Sequence, residues 1–272
     1  MPPLPLEIFC AVVDHFDAGK KQDRATLRRL LFVSRHLNSL ALPVLYEHVS
    51  LSRGDHYEEL LIYELGLLAC SAVDNPGLQF TTAFSFLFSG EYWGDFYESI
   101  HQAIEIIMYF LPNVRRVQIS VENGPVAGRV LHTLPSRAPI THLRLGESSL
   151  SSDDLRAFVE SHPTLQWLQM YSRRPGLSGD IRLAPGSLPA LRCLSIPAWE
   201  LAYFQDTLPS LTNLEVGLFS SLTHTVTDHM AIRFPSIVSC VLSDISFATI
   251  ASFISDLPNL KYLYVKPAFA NL

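Results

Sequence analysis

The sequence predicts an α/β fold in which parallel strands alternate with helices, preceded by a short all-helical segment. Three observations carry this. A proline-anchored, strand-like run recurs seven times after residue 110. Segments with helical apolar spacing separate several of these runs. The first fifty residues have helical periodicity and no such anchor.

Taken in order, the first helix spans about residues 5–16, with Ile8, Val12 or Val13, and Phe16 at helical spacing. A polar break over residues 17–23 follows. Residues 26–33 repeat apolar side chains at Leu27, Leu30 and Leu31, and residues 34–42 place Leu37, Leu40 and Ala41 on one stripe. Pro43 is expected to end or bend that helix. This sets a boundary between residues 1–43 and 44–272. Residues 44–51 and 79–88 read as strands, and 57–70 and 96–110 as the helices after them.

The repeats come next. Their prolines are Pro112, Pro139, Pro163, Pro189, Pro209, Pro235 and Pro258, about 24 residues apart on average. After the proline, six units place apolar residues at the second, fifth and seventh positions, with Cys240 filling one of them. The unit at Pro139 is one residue shorter. Alternate side chains of each run therefore share one core. Helix-like segments lie at 153–161, 199–207, 228–234 and 246–256, with Ser152 as the expected N-cap of the first. A strand then a helix, always in that order, builds a parallel solenoid of the leucine-rich-repeat type, an irregular horseshoe. Its usual late asparagine is missing from all seven runs, so no regular asparagine ladder is expected. The chain stops soon after its last strand without a clear polar cap. The expectation is a C-terminal truncation or an atypical cap.

The N-terminal residues resemble the F-box family. Leu4-Pro5-Leu6-Glu7-Ile8 is similar to that family's opening L-P-x-E-[IL]. Leu27, Leu30, Val33, Ser34 and Arg35, with Asn38-Ser39-Leu40-Ala41 after them, resemble its second half. Leu37 stands where the family often has tryptophan. Residues 43–51 resemble the entry into the repeats of many fungal F-box proteins.

The resemblance implies an N-terminal three-helix F-box that docks on a Skp-type adaptor, and through it on a cullin and a RING subunit. Its adaptor-facing residues would be Leu4, Pro5, Ile8, Val33, Ser34, Arg35 and Leu40. Physical logic agrees, since so small a module cannot bury all its apolar side chains internally. The alternative is that these side chains pack on the first repeat strand. The whole chain then reads as a non-catalytic substrate receptor of an SCF-type ubiquitin ligase. The other readings are a repeat scaffold with no ligase role, and a hydrolase hidden on the solenoid.

In such a solenoid, alternate strand positions face the concave surface. Arg116, His142 and Trp167 then line up across three strands, with Arg144, Gln169 and Tyr171 beside them. Trp, Tyr and Arg dominate recognition hot spots, so this strip is the expected substrate site. Paired arginines there suit an acidic or phosphorylated segment. The alternative is a partly covered Trp167 among ordinary surface arginines.

Composition narrows the classes. Lys and Arg number 20 against 26 Asp and Glu, a net charge of −6, and no long basic run exists. Nucleic acid and polybasic membrane contact are disfavoured. No stretch is long and apolar enough to span a bilayer, and the N-terminus is not a secretory signal. Cys10, Cys70, Cys193 and Cys240 form no C-x-x-C pair. They read as buried or half-buried thiols of a reducing compartment, the cytosol or nucleus. His224 and His229, with Asp228 nearby, do not have standard zinc spacing. No hydrolase, phosphate-loop or dinucleotide motif is present, and no cofactor is expected.

Overall fold

The structure is a computed structural model. It describes residues 6–17, 20–52, 58–88, 97–121, 126–134, 138–147, 152–171, 183–184, 186–197, 200–201, 204, 208–217, 235–243, 254 and 257–266.

Three helices open the chain: α1 (Leu6–Asp14), α2 (Lys21–Leu30) and α3 (Arg35–Tyr46). α1 and α2 each pack on α3 around Val13, Leu27, Ala41 and Leu45. The sharp turn between α2 and α3 is held by polar side chains. Ser34 Oγ accepts the Leu37 N–H at 3.1 Å as the α3 N-cap. Asn38 Nδ2 donates to the Leu31 carbonyl at 3.1 Å.

α3 does not end at Pro43. It runs through the proline to Tyr46, so the strand expected from residue 44 starts only at His48. Leu45 shows why, because it falls one helical turn after Ala41 and completes the same buried stripe. That burial contributes about 2 kcal/mol and offsets much of the roughly 3 kcal/mol cost of an internal proline.

Among the described residues nine strands follow: β1 (His48–Ser52), β2 (Ala83–Phe88), β3 (Arg116–Val121), β4 (His142–Glu147), β5 (Trp167–Tyr171), β6 (Cys193–Pro197), β7 (Asn213–Gly217), β8 (Ser239–Ser243) and β9 (Tyr262–Lys266). All pairings are parallel and the spatial order is the sequence order. α4 (Glu58–Ser71), α5 (Tyr97–Tyr109), α6 (Val126–Thr133) and α7 (Ser152–Ser161) lie between the early strands and pack on one another in turn. The result is an open, solenoid-like α/β fold.

Two side-chain rows run along the core face of the sheet. One is Val49, Phe84, Val117, Leu143, Leu168, Leu194, Leu214 and Cys240. These residues are all buried, at most 5% exposed. The alternation expected from the repeats is the burial pattern of β3, β7 and β8, whereas β5 and β6 are buried through consecutive residues and β9, with Leu263 and Val265, is exposed along its length.

The prolines have a defined place. The Val114, Leu165, Leu191, Leu211 and Leu260 N–H groups bond back three residues, to Leu111, His162, Leu188, Leu208 and Leu257. Each bond closes a β-turn whose second residue is the repeat proline, the position its fixed φ favours. At Pro139 the Ile140 N–H bonds Ala138 instead, a tighter turn that accounts for the shorter unit.

The missing asparagine ladder has a substitute. The residue after the proline reaches back to the previous repeat. Asn113 donates to the Gln79 carbonyl at 2.7 Å, Thr164 to Ile140 at 3.0 Å, Ser210 to Pro189 at 2.8 Å and Asn259 to Pro235 at 2.6 Å.

Several local expectations change. The strand expected from residue 79 begins at Ala83, because Pro76–Phe80 is a 3-10 turn capped by Asn75. α6 has no counterpart in the sequence reading. Ser152 is the first residue of α7 rather than its cap. The helices expected at 199–207, 228–234 and 246–256 lie mostly or wholly outside the described residues, as do His224 and His229. All four thiols are free, but Cys70 is exposed, not buried. It falls on the outer face of α4, between the buried Leu65 and Ala69 and the exposed Ser71. Cys240 is buried, which pushes its thiol up to about 12. Among the described residues no helix is long and apolar enough to cross a membrane.

Candidate functional site

The face of the sheet away from the helices carries the expected strip. Strand register places Arg116 beside His142 and His142 beside Trp167, at the usual spacing of about 4.8 Å between strands. The same row extends backwards through Ala83 to His48. The His142 and Trp167 rings lie 6.1 Å apart, tilted by 36°. In the next row Gln118, Arg144 and Gln169 are neighbours. The Arg144 guanidinium sits 5.9 Å from the Tyr171 ring centre, within cation–π range.

Arg116 and Arg144 are exposed, while His142, Trp167 and Tyr171 are half-buried. Gln169, expected on the open surface, is only 6% exposed and donates its amide to the Tyr171 hydroxyl. It positions Tyr171 rather than facing solvent. Sequence alternation assigns a face and does not measure how deeply a neighbouring ring covers it.

A cavity of about 250 Å³ opens in this strip, between His48 and the Arg116–His142–Trp167 row. It exists because Ala83 and Ser85 on β2 are small where their neighbours are large. His48 and Ala83 were missing from the expected site. The signal for them was available only through register, since β1 and β2 lie outside the proline-anchored repeats.

Burial, and then the charge of Arg116, hold His142 below the ordinary histidine value. His48 is lowered by burial first, then by Arg116 and Arg24. Both imidazoles are therefore neutral at pH 7. The Thr141 hydroxyl lies within hydrogen-bond distance of the Arg115 carbonyl, at 3.2 Å, and of His142 Nδ1, at 2.9 Å. Among the described residues no carboxylate pairs with Arg116 or Arg144.

The helical module presents a second surface. Ile8 is 45% exposed, Val12 48%, Phe32 89% and Val33 67%. Arg35 is exposed as well. Ser34 is engaged as the α3 cap, and Leu40 is half-buried against the module's own core. Leu4 and Pro5 lie outside the described residues. Of the seven residues expected to face an adaptor, Ile8, Val33 and Arg35 are thus open to one. Val12 and Phe32 are exposed too, and the sequence reading did not single them out as surface. Val12 follows Ile8 by one helical turn, and Phe32 lies in the α2–α3 turn, where helical periodicity no longer reports on exposure.

Compared with known proteins, the chain matches no family model and no curated sequence.

Proposed function

We propose that this chain is the substrate-receptor subunit of an SCF-type ubiquitin ligase. Its helical module binds a Skp-family adaptor, and its sheet face presents a protein substrate to the cullin–RING assembly. The chain performs no chemistry itself. It raises the effective concentration of the substrate near the transfer machinery.

One observation carries the reading. Among the described residues the module fully buries only Val13, Leu27, Ala41 and Leu45, while Ile8, Val12, Phe32 and Val33 are exposed. Apolar exposure of this kind is what an interface uses. The sequence resemblance names the partner. The sheet strip fits capture of a side chain. Its cavity of about 250 Å³ lies just below the range of about 300–1,000 Å³ for small-molecule sites.

The alternative, a repeat scaffold without a ligase role, is favoured by Ser34 and Leu40, which serve the module's own fold. Co-expression with a Skp-type adaptor and size-exclusion chromatography with light scattering separates the two. The expected result is a 1:1 complex, lost in the Ile8→Asp, Val33→Asp double variant at unchanged melting temperature. A monomer indifferent to the adaptor supports the scaffold. Trp167→Ala then weakens substrate capture and leaves the adaptor complex intact.

A further inference from the structure

A groove of about 750 Å³ lies between α2, β1 and α4. Four successive β1 residues line it: Val49, Ser50, Leu51 and Ser52. Successive strand side chains point to opposite faces of a sheet. A groove that touches all four therefore meets the strand along its edge.

Among the described residues that edge is open: β1 is the terminal strand and pairs only with β2. The Ala83 N–H bonds the Glu47 carbonyl at 3.1 Å, which sets the parity of the ladder. Alternate residues of a strand bond to a given neighbour, so Val49 and Leu51 turn their backbone groups to β2. Those of Ser50 and Ser52 turn to the groove. Among the described residues no backbone hydrogen bond from outside the sheet reaches them.

The opposite wall is cationic. Arg24 and Arg28 lie one turn apart on α2, a spacing at which like charges repel. Arg24 Nε is buried and has no acceptor. Glu64 on α4 also lines the groove. Its pull on Arg24 is smaller than the opposing effects of burial and Arg28, which together lower the Arg24 pKa. The rest of the α4 wall is Leu67, 52% exposed, with Leu68 and Ser71 beside it.

We propose that the free edge of β1 docks an extended acidic segment of a partner protein as an added strand. The partner backbone pairs with Ser50 and Ser52. Its carboxylates reach Arg24 and Arg28, and the alternate apolar side chains rest on Leu67 and Leu68. Strand addition of this kind takes affinity from the main chain and specificity from alternate side chains. The four β1 residues span about 13 Å, so a short segment suffices. The site stands apart from the Trp167 strip and does not depend on the ligase reading.

The test uses the full chain and a fluorescein-labelled octapeptide of alternating valine and glutamate, followed by fluorescence anisotropy. Saturable binding is expected. It is lost when alternate peptide nitrogens are methylated and absent when lysine replaces glutamate. It weakens about tenfold or more in Arg24→Gln with Arg28→Gln, the loss of charge-assisted contacts. Arg28→Gln alone, at an exposed position, keeps the test if the double variant melts early. No saturable binding of the valine–glutamate peptide overturns the proposal. Equal binding of the methylated peptide also overturns it, by showing a site that reads charge alone.

Discussion

The helical module and the sheet solve the same burial problem differently. In the sheet each new repeat lays its apolar row on the one before, so Leu143, Leu168 and Leu194 are at most 1% exposed. Stability there is close to a sum over neighbours. The module has no such neighbour on the α1 side or at the α2–α3 turn, and Phe32 and Val33 stay in solvent. Tyr46 lies at the joint between the two. Its ring packs within 2.5 Å of where a Cβ on Gly77 would sit. Its hydroxyl accepts from Asn75 at 3.2 Å, and its carbonyl accepts from Thr81 at 2.9 Å. Beside it, the Glu47 carbonyl accepts the Thr82 and Ala83 N–H groups at 2.9 and 3.1 Å, so the module is fastened to the solenoid at the end of α3.

Four measurements would break or sharpen that contrast. The largest effect is expected at Leu168→Ala, a fully buried β5 position, with a loss of about 2–5 kcal/mol in denaturant unfolding. Val33→Ala should cost less than about 0.5 kcal/mol in the same assay. Comparable losses at the two sites would mean that Val33 is covered by the chain itself.

Gly77→Ala tests the joint. The added methyl meets the Tyr46 ring, and overpacking of this kind costs about 1–3 kcal/mol. A neutral result would show that the module is free to shift on the first repeat.

Ser34→Ala and Asn259→Ala compare a helix cap with a repeat rung. The first should cost about 1 kcal/mol. The second removes the bond to the Pro235 carbonyl and should cost about 0.5–1.5 kcal/mol. A silent Asn259→Ala would remove the rungs from the account of how repeats are stitched.

The smallest effect concerns pH. His48 and His142 are held below the ordinary value of 6.5. The unfolded chain therefore binds protons at a higher pH than the folded one. Stability is full above about pH 6.5 and falls as the pH drops through the folded values. Replacing both by glutamine should flatten the melting temperature between pH 7 and pH 5. An unchanged slope would place the responsible groups elsewhere.

Much of the solenoid was legible because one physical rule, period two, recurs in every proline-anchored run. Leu143, Leu168 and Leu214 could be placed in the core from spacing alone, and Arg116, His142 and Trp167 could be placed in one row. The limits of single elements were less legible. Val44 and Leu45 have strand-like composition, yet they lie in α3 because Leu45 completes the Ala41 stripe. Gln169 sits at a correctly assigned face, but Tyr171 covers it. The cavity between His48 and Arg116 escaped notice because its making depends on Ala83, a residue with no chemistry of its own.

The sequence by itself determined the repeat, the strand–helix alternation and the face each strand residue takes. These follow from local periodicity and from proline's fixed φ, which no distant contact is needed to specify. Tertiary structure decided where α3 ends, which apolar residues of the module stay exposed and which small side chains open the cavity. It also decided that the edge of β1 lies free beside Arg24 and Arg28. Each of these depends on what a side chain meets across space, and that partner lies up to dozens of residues away in the chain.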